Sequence, residues 1–340
     1  MNRLLVPILA ALASAFAPAA PAAPEPPPSS GAAVAVSWTA SPVMVSCDGP
    51  VEAGVAWYDV GFRPADWAPV TMPDAGPIPG DQPGDRFYRG TFHTSGDEAL
   101  LLEVMADDGV RIFLNGHAVA REGADCHQAG CVNIRCGNGV AAGGLHDLTP
   151  LVRPGENLLA VHLTNGGCCG SHFDARLLRG VRMVQVDWFA SPVTADCEGP
   201  RDVGGPWYGD TFSVRGWSPV RMPDLMPIPW TDAADRFYRG YFLTRPGARY
   251  VVRLHSDDGC ELYANGRFVT RQGGLCHQGG TAKGSLELSP WMTPGVNLLA
   301  AHLSNAPVPG GSLMSVVLLE VVPAPGVDPE ALVKELFIGG

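Results

Sequence analysis

Apolar and polar residues alternate along most of this chain. Between residues 110 and 114, Val110, Ile112 and Leu114 share one face while Arg111 and Phe113 share the other, the period of two that marks a half-buried strand. Asn115 and Gly116 follow, a pair that accepts positive φ in a tight hairpin, and His117-Ala118-Val119 begins the return strand. Asn265 and Gly266 repeat the device. The runs NLLAVHL at 157–163 and NLLAAHL at 297–303 are further strands, entered through Pro-Gly turns at 154–155 and 294–295. Helical periodicity is almost absent before the tail, and 42 glycines with 32 prolines supply turns between short strands. The pattern predicts an all-β chain of antiparallel sandwiches.

It is written twice. Trp38, Cys47, Trp57 and Trp67 recur 150 residues later as Trp188, Cys197, Trp207 and Trp217, and DRFYRG at 85–90 returns at 235–240. DDGVRIFLNGHAVAREGADCHQ at 107–128 is matched by DDGCELYANGRFVTRQGGLCHQ at 257–278. Beyond Gln128 and Gln278 the offset falls to 140, so His162 matches His302, and the first copy carries an insertion of 10 residues around CVNIRCGNGV. A period this long is a duplicated domain rather than a solenoid repeat, and two domains suit 340 residues. The expected layout is a signal peptide at 1–23, a Pro-rich linker at 24–35, one sandwich at 36–182, a second at 183–323, and a Pro-rich hinge with a short helical tail at 324–340.

The N-terminal stretch has Arg3 ahead of a short apolar run and then alternating Ala and Pro, with cleavage expected near Ala19 or Ala22. That run is too short for a spanning helix, which needs ~20 apolar residues, so the reading is a secreted or cell-surface protein without a membrane span. Net charge is −11 and the basic residues are scattered singly. A nucleic-acid binder would show a basic face, so nucleic acid is not an expected partner. In the tail, Asp328 can cap a helix that has Pro329 at its first position. ALVKELFIGG is amphipathic with nothing after it to pack on, which points either to a truncated gene product or to docking on a surface protein partner.

The string WAPVTMPD…DRFYRGTF…ADDGVRIFLNGHAV…LTPLVRPGENLLAVHL resembles the sugar-binding jelly-roll domain of glycosidases, the galactose-binding-domain-like fold, over residues 36–180 and again over 186–322. The resemblance implies tandem jelly-roll sandwiches of a fold that binds sugars, binds proteins, or only braces a neighbour. Asp-Asp-Gly before a strand ending in Asn-Gly is also similar to lectins of the PA14 type. There, two consecutive aspartates hold a calcium ion that in turn binds sugar hydroxyls. Asp107, Asp108, Asp257 and Asp258 are the positions onto which that role transfers, and calcium is the one cofactor so implied.

Read from the residues alone, Asp-Asp-Gly is first a turn whose carboxylate accepts backbone N–H bonds, with the following glycine allowing backbone angles that a Cβ would resist. Calcium held by paired hard oxygen donors is the competing reading. Of the nine cysteines, Cys47 and Cys126 have counterparts in Cys197 and Cys276, so the economical disulfides in an exported chain are Cys47–Cys126 and Cys197–Cys276. Cys131, Cys136, Cys168 and Cys169 occur only in the first copy. Excluding a bond between the neighbours Cys168 and Cys169 leaves two pairings, both of which staple the insertion to the NGGCCGSHF loop. Spacing matches no zinc signature. Cys260 replaces Val110 on an inward face and reads as a buried free thiol.

His127, Gln128, His277 and Gln278 could reach a ligand's hydroxyls from a sandwich-end loop, or they hydrogen-bond their own loop. Trp38, Trp57 and Trp67 recur at equal offset and read as packing residues. Trp230 and Trp291 are confined to the second copy, where Gly80 and Leu151 stand in the first, and are the candidates for exposed ligand contacts. No G-x-S-x-G, H-E-x-x-H or phosphate loop is present. Glycoside hydrolysis needs carboxylates across a cleft, which two adjacent aspartates do not provide. The sequence therefore points to an exported, non-catalytic, calcium-assisted binding protein for an extracellular or cell-surface glycan. Its rival is a structural or adhesive surface protein that contacts protein only.

Overall fold

The computed structural model describes residues 31–79, 82–123, 126–127, 142–167, 171–229, 232–307 and 312–338. The expected signal peptide and the first part of the linker lie outside them. Each copy is a jelly-roll sandwich of two antiparallel sheets. In the first, the large sheet runs Ala68–Val70, Ser37–Ala40, Pro83–Thr94, Gly155–Gly166, Gly109–Leu114, His117–Gly123. The small sheet runs Ala142–Asp147, Leu100–Asp107, His172–Arg179, Asp74–Ala75. The second copy repeats the large sheet as Ser218–Val220, Asp187–Ala190, Ala234–Thr244, Gly295–Asn305, Gly259–Ala264, Arg267–Gln272. Its small sheet is Val181–Met183, Leu313–Val321, Arg249–Asp257, Thr281–Glu287, with Asp224–Leu225 also paired to Leu313–Val321.

Alternation decides what each strand buries. Val110, Ile112 and Leu114 point inward onto Leu102, Val104, Phe173 and Leu177 of the small sheet, and Trp38, Tyr88 and Phe92 close the same core. Cys260, Leu262 and Ala264 do this in the second copy, and Cys260 is a fully buried free thiol. Both Asn-Gly hairpins form: Asn115 and Asn265 have φ of 51° and 50°, and their side chains donate to Asn157 and Asn297 at 2.8 and 2.7 Å. Trp38, Trp57, Trp188 and Trp207 are buried.

The outer faces of the two small sheets pack on each other. Leu101 and Leu178 of the first copy meet their own counterparts, Val251 and Leu319, in one cluster. Glu103 is paired across this interface with Arg253, the residue at its own position in the second copy, and also accepts from Arg176 at 2.8 Å. Equivalent positions of the two copies thus meet across this contact, and at Glu103 and Arg253 they carry opposite charges.

Two expectations are corrected here. Residues 31–35 are not linker: Ala32 is buried in the inter-copy cluster, and Val34 N–H donates to Leu177 O at 2.8 Å. The tail helix, Pro329–Ile338, does not present a free apolar face to a surface protein partner. Leu332, Val333 and Leu336 are buried in the same cluster, while Glu335 pairs with Arg176 at 3.3 Å and Glu330 with Arg249 at 3.8 Å. Each such buried side chain contributes roughly 1.5–3 kcal/mol. The helix packs on residues of both sandwiches, Leu101 and Leu178 of the first and Val251 and Leu319 of the second. Among the described residues, no helix is long and apolar enough to cross a membrane.

Candidate functional site

Each copy buries one aspartate under the aromatic layer on the outer face of its large sheet. Asp85, fully buried, accepts from His162 Nε2 at 2.6 Å, His127 Nε2 at 2.8 Å and the Ser46 N–H at 2.8 Å. Asp235, also fully buried, pairs with His302 Nε2 at 2.7 Å and His277 Nε2 at 2.8 Å. Phe87 and Phe237 stack on the buried histidines at 4.5 Å, and Trp57 and Trp207 lie on those phenylalanines at 4.8 Å. Burial pushes both carboxyls up, but the histidine hydrogen bonds and charges outweigh it and hold them below their ordinary value. His302 is likewise opposed by burial and raised on balance by Asp235 and Glu261.

A second buried charge fixes the loop above. Arg239, fully buried, donates to the carbonyls of Trp207 and, at 2.9 Å, Gly209, as Arg89 does to Trp57 and, at 2.9 Å, Asp59. These Asp and Arg positions both belong to the repeated DRFYRG strand. The sequence reading missed them, although two charged residues kept unchanged in both copies of an aromatic-rich strand were the available signal.

His127 and His277, expected to face a ligand, are therefore tied to buried carboxylates. Gln278 is exposed and its side chain has no hydrogen bond among the described residues. Trp291 is half-buried: the 3-10 turn Ser289–Trp291 lays its ring against the second core, and its carbonyl accepts from Asn265 at 2.8 Å. Gln128, Trp230, Cys131, Cys136, Cys168 and Cys169 lie outside the described residues.

Cys47 and Cys126 are disulfide-bonded. Cys197 and Cys276 are not; both are thiols, with Cys276 exposed. The turns also differ: Ser46 N–H donates to Asp85 at 2.8 Å, whereas the equivalent Asp196 N–H donates to Thr194 Oγ1 at 3.2 Å. Burial first, then Cys276 and Asp235, push the Cys197 thiol up to about 12. Cys197, Asp235 and His277 set ligand atoms within 4.8 Å of one another, as do Cys47, Cys126 and His127, whose sulfurs are in the disulfide.

Asp107-Asp108 and Asp257-Asp258 are cis peptide bonds. The second aspartate of each pair closes the turn: Asp108 accepts from Gly166 N–H at 2.8 Å, and Asp258 from Ala306 N–H at 2.7 Å and Gly280 N–H at 3.2 Å. Gly259 is required by close approach rather than backbone angle, since a Cβ there would lie 1.5 Å from the Gly274 carbonyl oxygen. Asp107 and Asp257 are pushed up first by burial and then by the neighbouring carboxylate's charge. Among the described residues no third Asp, Glu, His or Cys ligand atom closes around either pair. Calcium takes 6–8 oxygens, so the side chains supply only the beginning of a site.

Open to solvent is a groove of about 810 Å³ beside strand Asp187–Ala190, lined by Gln185, Asp187, Phe189, Arg221 and Tyr241 among others. None of these was singled out from the sequence.

No protein-family model and no curated protein matches the chain. Solved structures that resemble it include a glycosyl hydrolase family 2 member from Bacteroides cellulosilyticus, at 14% identity over 79% of this chain and 30% of that one, with a TM-score of 0.32. The β-glucuronidase of Bacteroides uniformis is 14% identical over 74% of this chain and 26% of its own, with a TM-score of 0.33. An anti-sigma factor domain-containing protein is 10% identical over 86% of this chain and 99% of its own, with a TM-score of 0.26. The chain spans less than a third of the glycosidases' length. Likeness at these scores carries no argument about function.

Proposed function

We propose that the protein is exported and binds an extracellular or cell-surface carbohydrate without transforming it. One observation supports the non-catalytic reading. Asp85 and Asp235 are fully buried, and His162 and His302 are 2% and 1% exposed. General acid–base catalysis requires a side chain within hydrogen-bond reach of the substrate. Asp85, Asp235, His162 and His302 are held inside the sheet's aromatic layer, where they bind one another rather than a substrate. They hold the scaffold together, and the surface is left for binding. The carbohydrate class rests on the motif resemblance to sugar-binding jelly rolls, and export on the signal pattern, supported by a disulfide of the kind oxidising compartments sustain.

Calcium's part is to stabilise. Asp107 and Asp257 would hold it, with the remaining ligands drawn from backbone carbonyls and water. A cation there relieves two like charges and favours only the folded state, by about 2.7 kcal/mol at a hundredfold excess over Kd. A glycan array probed with the whole chain tests the function: saturable binding to at least one glycan is expected. Failure on every glycan, together with self-association, would point instead to a structural or adhesive surface protein.

A further inference from the structure

The two large sheets differ where they face solvent. Thr39, Thr91, His93 and Glu156 of the first copy are replaced by Phe189, Tyr241, Leu243 and Val296. Each replacement is outward-facing, since the alternate residues Trp188 and Phe242 point into the core. Leu243 and Val296 pair directly across neighbouring strands and are 70% and 68% exposed. The inter-copy interface uses the small sheets, so this face is not covered by the first sandwich. Contiguous apolar exposure on an otherwise packed domain marks a binding surface.

Phe189 and Tyr241 meet at 6.3 Å with their planes at 69° and line the open groove together with Gln185, Asp187 and Arg221. Tyr241 is locked from beneath. Arg239 donates to its hydroxyl oxygen from Nε at 3.1 Å and Nη2 at 3.0 Å, and the guanidinium lies 5.6 Å from the ring centroid. A tyrosine hydroxyl has one proton to donate. With its oxygen already accepting twice, the hydroxyl's remaining hydrogen-bonding capacity is that one donor. The first copy lacks the arrangement: Arg89 Nη2 donates to Phe62 O at 3.3 Å, and Thr91 stands where the ring would be.

A fixed aromatic pair rimmed by a carboxylate, an amide and a guanidinium suits a ligand with an apolar C–H face and a hydroxyl edge. One acid and one base balance, which favours a neutral ligand. The volume falls within the ~300–1,000 Å³ of small-molecule sites. A protein partner of ordinary size needs ~800 Å² from each side, far more than these few side chains offer.

We propose that this groove on the second sandwich is the glycan site, taking a neutral pyranoside against Phe189 and Tyr241, and that the first sandwich has no equivalent. The proposal rests on the carbohydrate reading above. The test uses the whole chain and neutral mono- and disaccharides of glucose, galactose, mannose and N-acetylglucosamine, titrated by calorimetry. Phe189→Thr with Tyr241→Thr installs residues the same fold already carries in the first copy. It is expected to melt as a folded protein and to bind at least tenfold more weakly. Arg221→Ala, at an exposed position, is expected to weaken binding at least threefold, and His93→Ala on the first copy to leave it unchanged. Wild type that binds while the double variant stays within threefold overturns the site but leaves the carbohydrate reading standing. Wild type that binds none of these sugars overturns the site; if it also binds nothing on a glycan array, the carbohydrate reading falls with it.

Discussion

Replacing Asp85 with alanine removes one acceptor from three donors at once. His162 Nε2, His127 Nε2 and the Ser46 N–H all lie within 2.8 Å of its carboxylate, and the aspartate is fully buried. A hydrogen bond to a charged group is worth about 1.5–3 kcal/mol, and breaking a buried ion pair by deleting one partner costs about 3–5 kcal/mol. The donors cannot all turn to water, because Phe87 stacks on His162 and Trp57 covers Phe87. We therefore expect Asp85→Ala to cost about 3–5 kcal/mol. At about 2–4 °C per kcal/mol for a domain of this size, the Tm falls by roughly 6–20 °C. Asp85→Asn should lose about half as much, since the amide keeps an acceptor and can donate to a histidine that changes tautomer. Differential scanning calorimetry of the whole chain reads both. A change below about 1 kcal/mol for the alanine variant, the range of an exposed pair, would refute the view that this aspartate organises the sheet's outer face.

Asp235 and His302 make the second sandwich pH-dependent. The lowered Asp235 contributes stability above 3.8 that is lost as pH falls through its folded value, and the raised His302 contributes stability below 6.5 that is lost as pH rises through its folded value. Thermal stability should therefore decline from pH 6 to pH 9, and Glu261→Gln should shrink that decline; an identical profile for the variant would count against the coupling. For the aspartate turns, Asp107→Asn with Asp257→Asn should raise the Tm without calcium, by removing carboxylates whose ionised form is disfavoured, and should abolish any rise on adding calcium. An unchanged calcium response in the double variant would remove these residues from the site. In native protein, a thiol reagent should label Cys276 readily and Cys260 only after unfolding, as judged by peptide mass; labelling of Cys260 in the folded state would contradict its burial.

The fold was legible because alternation and duplication agree. A one-residue slip in any of these strands would turn its apolar set outward, so the period of two carries the sheet assignment, and the second copy repeats each Trp, Asn-Gly and Pro-Gly marker. Pairing of Cys47 with Cys126 was legible for the same reason. Cys197 and Cys276, at the equivalent positions, are free thiols. The tail helix was legible as a helix but not in its packing, since its partners, Leu101, Leu178, Val251 and Leu319, lie on two sheets distant in sequence. The Asp85 and Asp235 clusters were not legible because their histidines come from a loop and from the neighbouring strand, which lies 77 and 67 residues further along the chain. The Phe189–Tyr241 platform shows only when the copies are compared for what differs rather than for what recurs.

Binding without turnover is the centre of this account. The most direct measurement titrates the whole chain with the strongest-binding glycan from the array, then recovers that glycan after prolonged incubation and weighs it by mass spectrometry. Saturable binding and a ligand recovered intact are expected. A cleaved or otherwise altered ligand, or no saturable binding to any glycan, would contradict binding without turnover.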